Sequence, residues 1–166
     1  MSGSSKRQEG LKDQEIEQLL KSNNILERLK AVDLLIERKE IDKLISLLFS
    51  ESWHLREKIQ NSLGKVIKKD HLNKLLPLLD EKVWYVRAGV IKVLGDAEFL
   101  DLFDDIYPHL REKNEVVRTN AAVAIAKFIT KRSELKERLT RDDIVIIENA
   151  LRELKEFDLL DKFMNL

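Results

Sequence analysis

The most informative stretch of the sequence is residues 75–87, which read LLPLLDEKVWYVR. A short apolar segment that contains a proline is followed by a charged turn, an aromatic pair and an arginine. Pro77 and Arg87 both return 31 residues later, as Pro108 and Arg118. Independent landmarks that share one period of this length indicate a repeat array, in which each unit packs on its neighbours.

Further landmarks extend the repeat to most of the chain. Arg56 lies 31 residues before Arg87, and Gly64 and Gly95 each follow their arginine by eight residues. Each unit reads as a short apolar helix, a turn and a longer helix with the i, i+3/i+4, i+7 spacing of a buried stripe. We expect a flexible N-terminal tail over residues 1–10 and a single domain over 11–166, divided into units 11–40, 41–70, 71–98 and 99–132 and an irregular C-terminal cap over 133–166.

Polar residues four positions before the arginines predict where the second helices begin. Asn24, Ser52 and Asn114 occupy this position, and their side chains suit the free amides of a first helical turn. The third unit has Val83 there, so Asp80 or Glu81 is expected to serve instead.

The C-terminal cap is predicted to contain two helices. Thr140 and Asp143 form a capping-box pattern ahead of the first, whose buried stripe is expected to include Leu151 and Leu154. A short final helix around Phe163 is expected to cover the end of the stack.

Composition supports an all-α protein and excludes several classes. The chain carries 30 basic and 30 acidic residues, so it is not a generally basic nucleic-acid binder. It has 43% hydrophobic residues, no cysteine, and only 5 glycines and 2 prolines, which disfavours disorder, thiolate sites and turn-rich β folds. With no secretory signal and no apolar run near the roughly 20 residues of a membrane span, we expect a cytoplasmic protein without membrane contact.

Residues 75–87, continued by Leu94, Gly95 and Asp96, resemble a HEAT repeat of the phycobilisome-lyase-like type. Residues 116–122 are similar, and residues 52–64 form a weaker copy. The resemblance implies a right-handed α-α superhelix, a HEAT-like solenoid of about five helix pairs. It also implies a non-catalytic scaffold that binds a protein, or sometimes nucleic acid. An accessory bilin-lyase-like subunit is a less favoured third interpretation, and no cofactor is expected.

The periodic arginines are interpreted as a structural ladder rather than a phosphate-binding row. A planar guanidinium at the start of a second helix can bridge to a carbonyl or an acid of the array. The ladder consists of Arg28, Arg56, Arg87 and Arg118, and the candidate acceptors six residues earlier are Ser22, Ser50, Glu81 and Glu112.

Positions two, five and nine residues after each arginine are expected to face the inner, concave surface of the array. Over residues 56–132 they are mostly lysine and asparagine, which predicts a mildly basic surface for an acidic protein partner. Phosphate binding along the same lysines is the alternative, and simple solvation of the helix face remains open. The candidate contacts are Lys58, Asn61, Lys65, Lys92, Asn120 and Lys127.

Trp53 and Trp84 occupy equivalent places, three residues before their arginines. Packing of the turn between helices is the preferred interpretation, and contact with a partner is the second. The three histidines lack metal-ligand spacing, and the sequence has neither a Gly-rich phosphate loop nor a Gly-x-Ser-x-Gly elbow. We therefore expect no enzyme activity.

Overall fold

A computed structural model describes residues 12–166 of the chain. Within that range the fold is all-α and HEAT-like, and it contains no strand. The fold class expected from the sequence is confirmed. The expected N-terminal tail, residues 1–10, lies outside the described residues.

The helices alternate between a short first element and a longer second one. A helix over 12–20, α1, precedes α2. The others are α2 (Ile25–Glu37), α3 (Ile41–Ser46), α4 (Trp53–Val66), α5 (Leu72–Leu75), α6 (Trp84–Asp96), α7 (Phe103–Ile106), α8 (Glu115–Lys131), α9 (Arg141–Glu153) and α10 (Phe157–Met164). Short 3-10 segments lie at Leu47–Phe49, Lys69–His71, Leu76–Asp80, Leu100–Leu102, Tyr107–Arg111 and Ser133–Arg138.

The two prolines explain why α5 and α7 are short. Pro77 and Pro108 stand at the start of the 3-10 segments that follow α5 and α7. Proline has no amide hydrogen to continue an α-helical ladder, so the chain tightens into 3-10 geometry at that point. These first elements are therefore single α-turns between 3-10 segments.

Polar caps set the starts of several longer helices. The side chain of Asn24 accepts a hydrogen bond from the Leu26 amide, and that of Asn114 accepts one from the Val117 amide. Both caps were expected from the sequence and are confirmed. Val83 precedes α6 without a side-chain cap, and Glu81 bonds the Lys82 amide rather than a helical one.

Three helices end in the left-handed backbone region at a residue other than glycine. Lys39, Glu98 and Lys155 have φ of 55°, 55° and 57° and follow α2, α6 and α9. In each case the next amide bonds a carbonyl in the preceding helix, as in a Schellman motif. The recurrence shows that α9, in the irregular cap, ends like a repeat helix.

The chain divides into two compact units, the first ending at Ile59 and the second running over Gln60–Leu166. In the N-terminal unit, the buried residues Ala31, Val32 and Leu35 of α2 form part of the core. In the C-terminal unit, α6 packs along α8, and their buried stripes supply most of the core. The buried stripes of the second helices thus contribute to both cores.

Asp143 links the C-terminal cap to the preceding repeat unit, residues 99–132. The carboxylate is fully buried and accepts hydrogen bonds from the Tyr107 hydroxyl at 2.7 Å, the Arg111 guanidinium at 2.5 Å and the Thr140 amide at 2.8 Å. The capping box predicted from Thr140 is confirmed. Burial raises the pKa of Asp143, but these hydrogen bonds and the Arg111 charge outweigh burial and hold the pKa below its usual value.

The final helix, α10, closes the C-terminal unit. Phe163 is fully buried, and Lys136 lies over its ring and donates to its backbone carbonyl at 2.6 Å. Among residues 12–166, no helix combines the length and apolarity needed to cross a membrane.

Candidate interaction groove

The C-terminal unit carries a groove beside α6 and α8, which we call the α6–α8 groove. It consists of two adjoining cavities of about 240 and 440 Å³ that share Asp96 and Lys127. The smaller cavity is lined by Lys92, Gly95, Asp96, Asn120, Val123, Ala124, Lys127, Leu154 and Glu156. The larger one is lined by Asn61, Gly64, Lys65, Asp96 and Lys127.

Close helix packing forms the floor of the groove. A Cβ atom added to Gly95 would lie 2.7 Å from the Cβ of Ala124, and one added to Gly64 would lie 2.7 Å from the Cβ of Asp96. Real side chains do not approach so closely, so glycine is required where these helices meet. The periodic glycines in the sequence are therefore packing residues.

Asp96 is the electrostatic centre of the groove. Its carboxylate accepts hydrogen bonds from Lys92 at 2.7 Å and from Lys127 at 2.6 Å. Burial raises the pKa of Asp96, yet the hydrogen bonds and charges of the two lysines outweigh burial and lower its pKa. Asp96 therefore stays ionised at neutral pH and compensates part of the charge of both lysines.

The remaining polar residues of the groove differ in exposure and in whether they already have hydrogen-bond or ion-pair partners. Asn120 is half-buried and donates to the carbonyl of Ala88 at 2.9 Å, so its amide is already used. Asn61 and Lys65 are exposed. Within residues 12–166, Lys65 has no ion-pair partner, unlike Lys92 and Lys127.

The expected inner row of exposed basic residues is only partly present. Lys58 belongs to the N-terminal unit, where it forms an ion pair with Asp33 at 2.6 Å. Gly89 is buried, because the side chain of Gln60 lies against it. Of the four candidate lysines, Lys58, Lys92 and Lys127 are ion-paired and, among the described residues, only Lys65 is not, so the mildly basic surface carries less free positive charge than expected.

An apolar wall was missed by the sequence. Leu154 was expected on a buried stripe, but 48% of its surface is exposed, and it lines the smaller cavity with Val123. The stripe prediction failed here because α9 ends at Glu153 and the chain turns at Lys155. The lysine in a left-handed C-terminal position gave no sequence signal of this turn, since glycine is the usual residue there.

The arginine series makes hydrogen bonds within the protein. Arg56 donates to the carbonyl of Ser50 at 2.6 Å, and Arg118 to that of Glu112 at 2.7 Å. Arg87 donates to the carbonyl of Glu81 at 2.7 Å. It also donates to both carboxylate oxygens of Glu112, each at 2.9 Å. The Arg87 hydrogen bond is the main reason that the pKa of Glu112 is lowered.

Arg28 departs from the series. Its Nε is buried without a hydrogen-bond partner, and no bond to Ser22 is found among the described residues. The hydroxyl of Ser22 instead donates to Glu27. Arg28 therefore lacks the hydrogen bond, to the residue six positions earlier, that Arg56, Arg87 and Arg118 make.

The tryptophans are more exposed than turn packing requires. Trp53, in the N-terminal unit, is 55% exposed and tilts against His54, with ring centroids 4.2 Å apart. Trp84, in the C-terminal unit, is 41% exposed and meets Tyr85 edge to face. Packing of the turn, the preferred interpretation, therefore covers only part of each ring. Contact with a partner remains a hypothesis.

The described residues contain no cluster of three or more His, Asp or Glu side chains arranged to hold a metal ion. His71 accepts from the Lys68 amide and His109 contacts Glu112, so both have local structural partners. The groove holds lysines, one shared carboxylate and an apolar wall. Such an arrangement can bind a complementary surface.

Comparison with curated proteins finds no significant match to this chain. A family model does match: residues 14–95, just under half of the chain, correspond to the model described as HEAT repeats. The match concerns HEAT repeats in general and does not distinguish the phycobilisome-lyase-like type. Together with the all-α HEAT-like fold, it supports a HEAT-repeat protein, and proteins built of HEAT repeats generally serve as interaction scaffolds.

Proposed function

We propose that the protein is a non-catalytic interaction scaffold that binds a protein partner in the α6–α8 groove. One observation carries this proposal: an exposed cation, Lys65, lines one cavity, and an exposed apolar residue, Leu154, lines the adjoining one. Exposed apolar surface rimmed by polar groups marks interaction sites. The groove is built on α6 and α8, whose tight packing holds its shape without a partner.

The charges of the groove favour a protein over nucleic acid. Nucleic-acid binding gains affinity when lysines or arginines neutralise phosphates and release the counterions condensed on the nucleic acid. Lys92 and Lys127 share Asp96, so they offer less free charge than their number indicates. A protein partner can use the groove because apolar contact and one or two ion pairs are enough for recognition.

Site-specific cross-linking tests the proposal directly. The chain has no cysteine, so a single cysteine can be labelled uniquely with a photoreactive benzophenone maleimide. Lys65→Cys places the probe in the groove, and Asp105→Cys places it at an exposed position of α7, outside the groove, as a control. A partner cross-linked in native lysate is identified by mass spectrometry and then purified for binding measurements.

The expected result is a partner that cross-links through position 65 and not through position 105. The purified partner should bind the wild-type chain and lose affinity when Lys65→Glu and Lys127→Glu are combined, with unchanged helicity by circular dichroism. Equal cross-linking at both positions would refute the groove assignment, and so would equal partner affinity for the double variant and the wild type. Binding of 20-nucleotide DNA or RNA that weakens steeply from 50 to 200 mM salt would support the alternative function instead.

A further inference from the structure

We infer that the smaller cavity of the α6–α8 groove binds one large apolar side chain of the partner, and that an acidic side chain nearby in the partner's sequence pairs with Lys65. The inference rests on the proposed function and specifies the partner: a peptide segment that combines an acidic residue with a bulky apolar one.

The cavity size matches a side chain. Its volume is about 240 Å³, which exceeds the roughly 150 Å³ of an engineered apolar cavity that binds benzene. It falls below the roughly 300–1,000 Å³ of pockets that hold drug-sized ligands. One leucine, methionine or phenylalanine side chain suits the space better than a cofactor does.

Several apolar residues line this cavity. Gly95 and Ala124 meet where α6 packs on α8, and Val123 adds an apolar side chain. Leu154 lies 48% exposed at the end of α9. A partner side chain inserted here would cover Leu154, and removal of this apolar surface from water favours binding.

The unpaired lysine of the adjoining larger cavity, Lys65, favours an acidic residue near the inserted side chain. Lys65, Lys92 and Lys127 line the groove with only Asp96 and Glu156 as acidic counterparts. Asp96 is already held by two lysines, so a basic partner residue would meet those lysines as well as the carboxylate. An acidic residue meets Lys65, whose exposed ammonium needs little desolvation to form a pair.

A displayed library of random 12-residue peptides, selected on the immobilised full chain, tests this inference without a known partner. Enriched peptides are then synthesised with a fluorescent label and titrated by fluorescence polarisation. We expect them to contain an acidic residue together with Leu, Met or Phe.

Matched variants connect the peptides to the cavity. Leu154→Glu should weaken binding at least about tenfold and Lys65→Glu about threefold, the latter less at high salt. Leu26→Glu changes an exposed leucine of α2 outside the groove, and Lys162→Glu changes the last-turn lysine of α10 as Lys65→Glu changes that of α4. Both controls should bind within about twofold of wild type.

The outcomes separate this inference from the proposed function. Peptides that depend on Lys65 but contain no bulky apolar residue, or that bind Leu154→Glu normally, would overturn the inference and leave the groove as an interaction site. Failure to enrich any peptide over the Leu154→Glu chain would also count against it. The proposed function fails on the cross-linking result, which does not depend on the peptide motif.

Discussion

Gly89 and Gly95 lie on the same helix, α6, and both are buried, yet alanine should have opposite effects at the two positions. A Cβ at position 95 would lie 2.7 Å from the Cβ and 3.0 Å from the Cα of Ala124, which belong to the packed face of α8. A Cβ at position 89 would lie 2.6 Å from Nε2 of Gln60, the far end of a flexible side chain. Only the first contact requires two helices to move apart.

The magnitudes follow from this difference. Optimal carbon–carbon contact is about 3.5–4.0 Å, so Gly95→Ala needs a local separation of about 1 Å between α6 and α8. Overpacking costs about 1–3 kcal/mol, and a backbone contact belongs at the upper end of that range. Alanine gains about 1 kcal/mol in helix propensity at either site. We expect Gly95→Ala to lower the free energy of unfolding by about 2 kcal/mol and Gly89→Ala to raise it by up to about 1 kcal/mol.

Urea unfolding followed by circular dichroism at 222 nm measures both effects. With a slope of about 1–3 kcal/mol per molar urea, the two midpoints should differ by about 1 M or more while the slopes stay the same. Gly89→Ala is the matched control, because helix, substitution and propensity gain are shared. Equal midpoints for the two variants would refute the argument that helix contact at Gly95 requires a glycine.

Two further predictions concern the cap and a helix end. Asp143→Asn should lower the free energy of unfolding by about 2 kcal/mol at pH 7, because a buried charged acceptor of three hydrogen bonds is lost. The pKa of Asp143 is lowered in the folded state. The carboxylate therefore contributes to the free energy of unfolding above its unfolded pKa, about 3.9, and this contribution is lost as pH falls through the folded pKa. Thermal unfolding at pH 7 and pH 3 should thus show a smaller acid-induced loss in Asp143→Asn than in wild type, and an equal loss would contradict the assignment. Glu98→Gly should raise the free energy of unfolding by up to about 1 kcal/mol, and with it the urea midpoint, because glycine relieves the left-handed strain. Ala97→Gly, at φ −77°, should lower both.

The repeat pattern predicted the long helices well because it reports burial directly. Apolar positions that recur on one face must pack, so the second helices appear where the stripe appears. The caps at Asn24 and Asn114 followed from the same register, since a helix that begins there needs an acceptor for its first amides. These features depend on residues close together in the chain.

Exposure and charge pairing were harder to predict because they depend on neighbouring units. Trp84 looked like a turn-packing residue, and only its surroundings in three dimensions show that it is 41% exposed. Leu154 continued an apolar stripe in the sequence, but the helix ended one residue earlier. Periodicity describes the face of a helix and says little about what covers that face.

The pairing of Asp96 nevertheless left a signal in the sequence. Asp96 and Lys127 are 31 residues apart, one repeat period, and their side chains meet at 2.6 Å. Residues at the same place in successive units therefore become neighbours, as stacked second helices require. The prediction of a basic inner surface added the charges of the second helices as if such neighbours did not pair. Lys65 is also one period from Asp96, so the period alone does not identify the free lysine. The structure does: Asp96 already holds Lys92 and Lys127, which leaves Lys65 as the free cation of the groove within the described C-terminal unit, and that is where the binding experiments should begin.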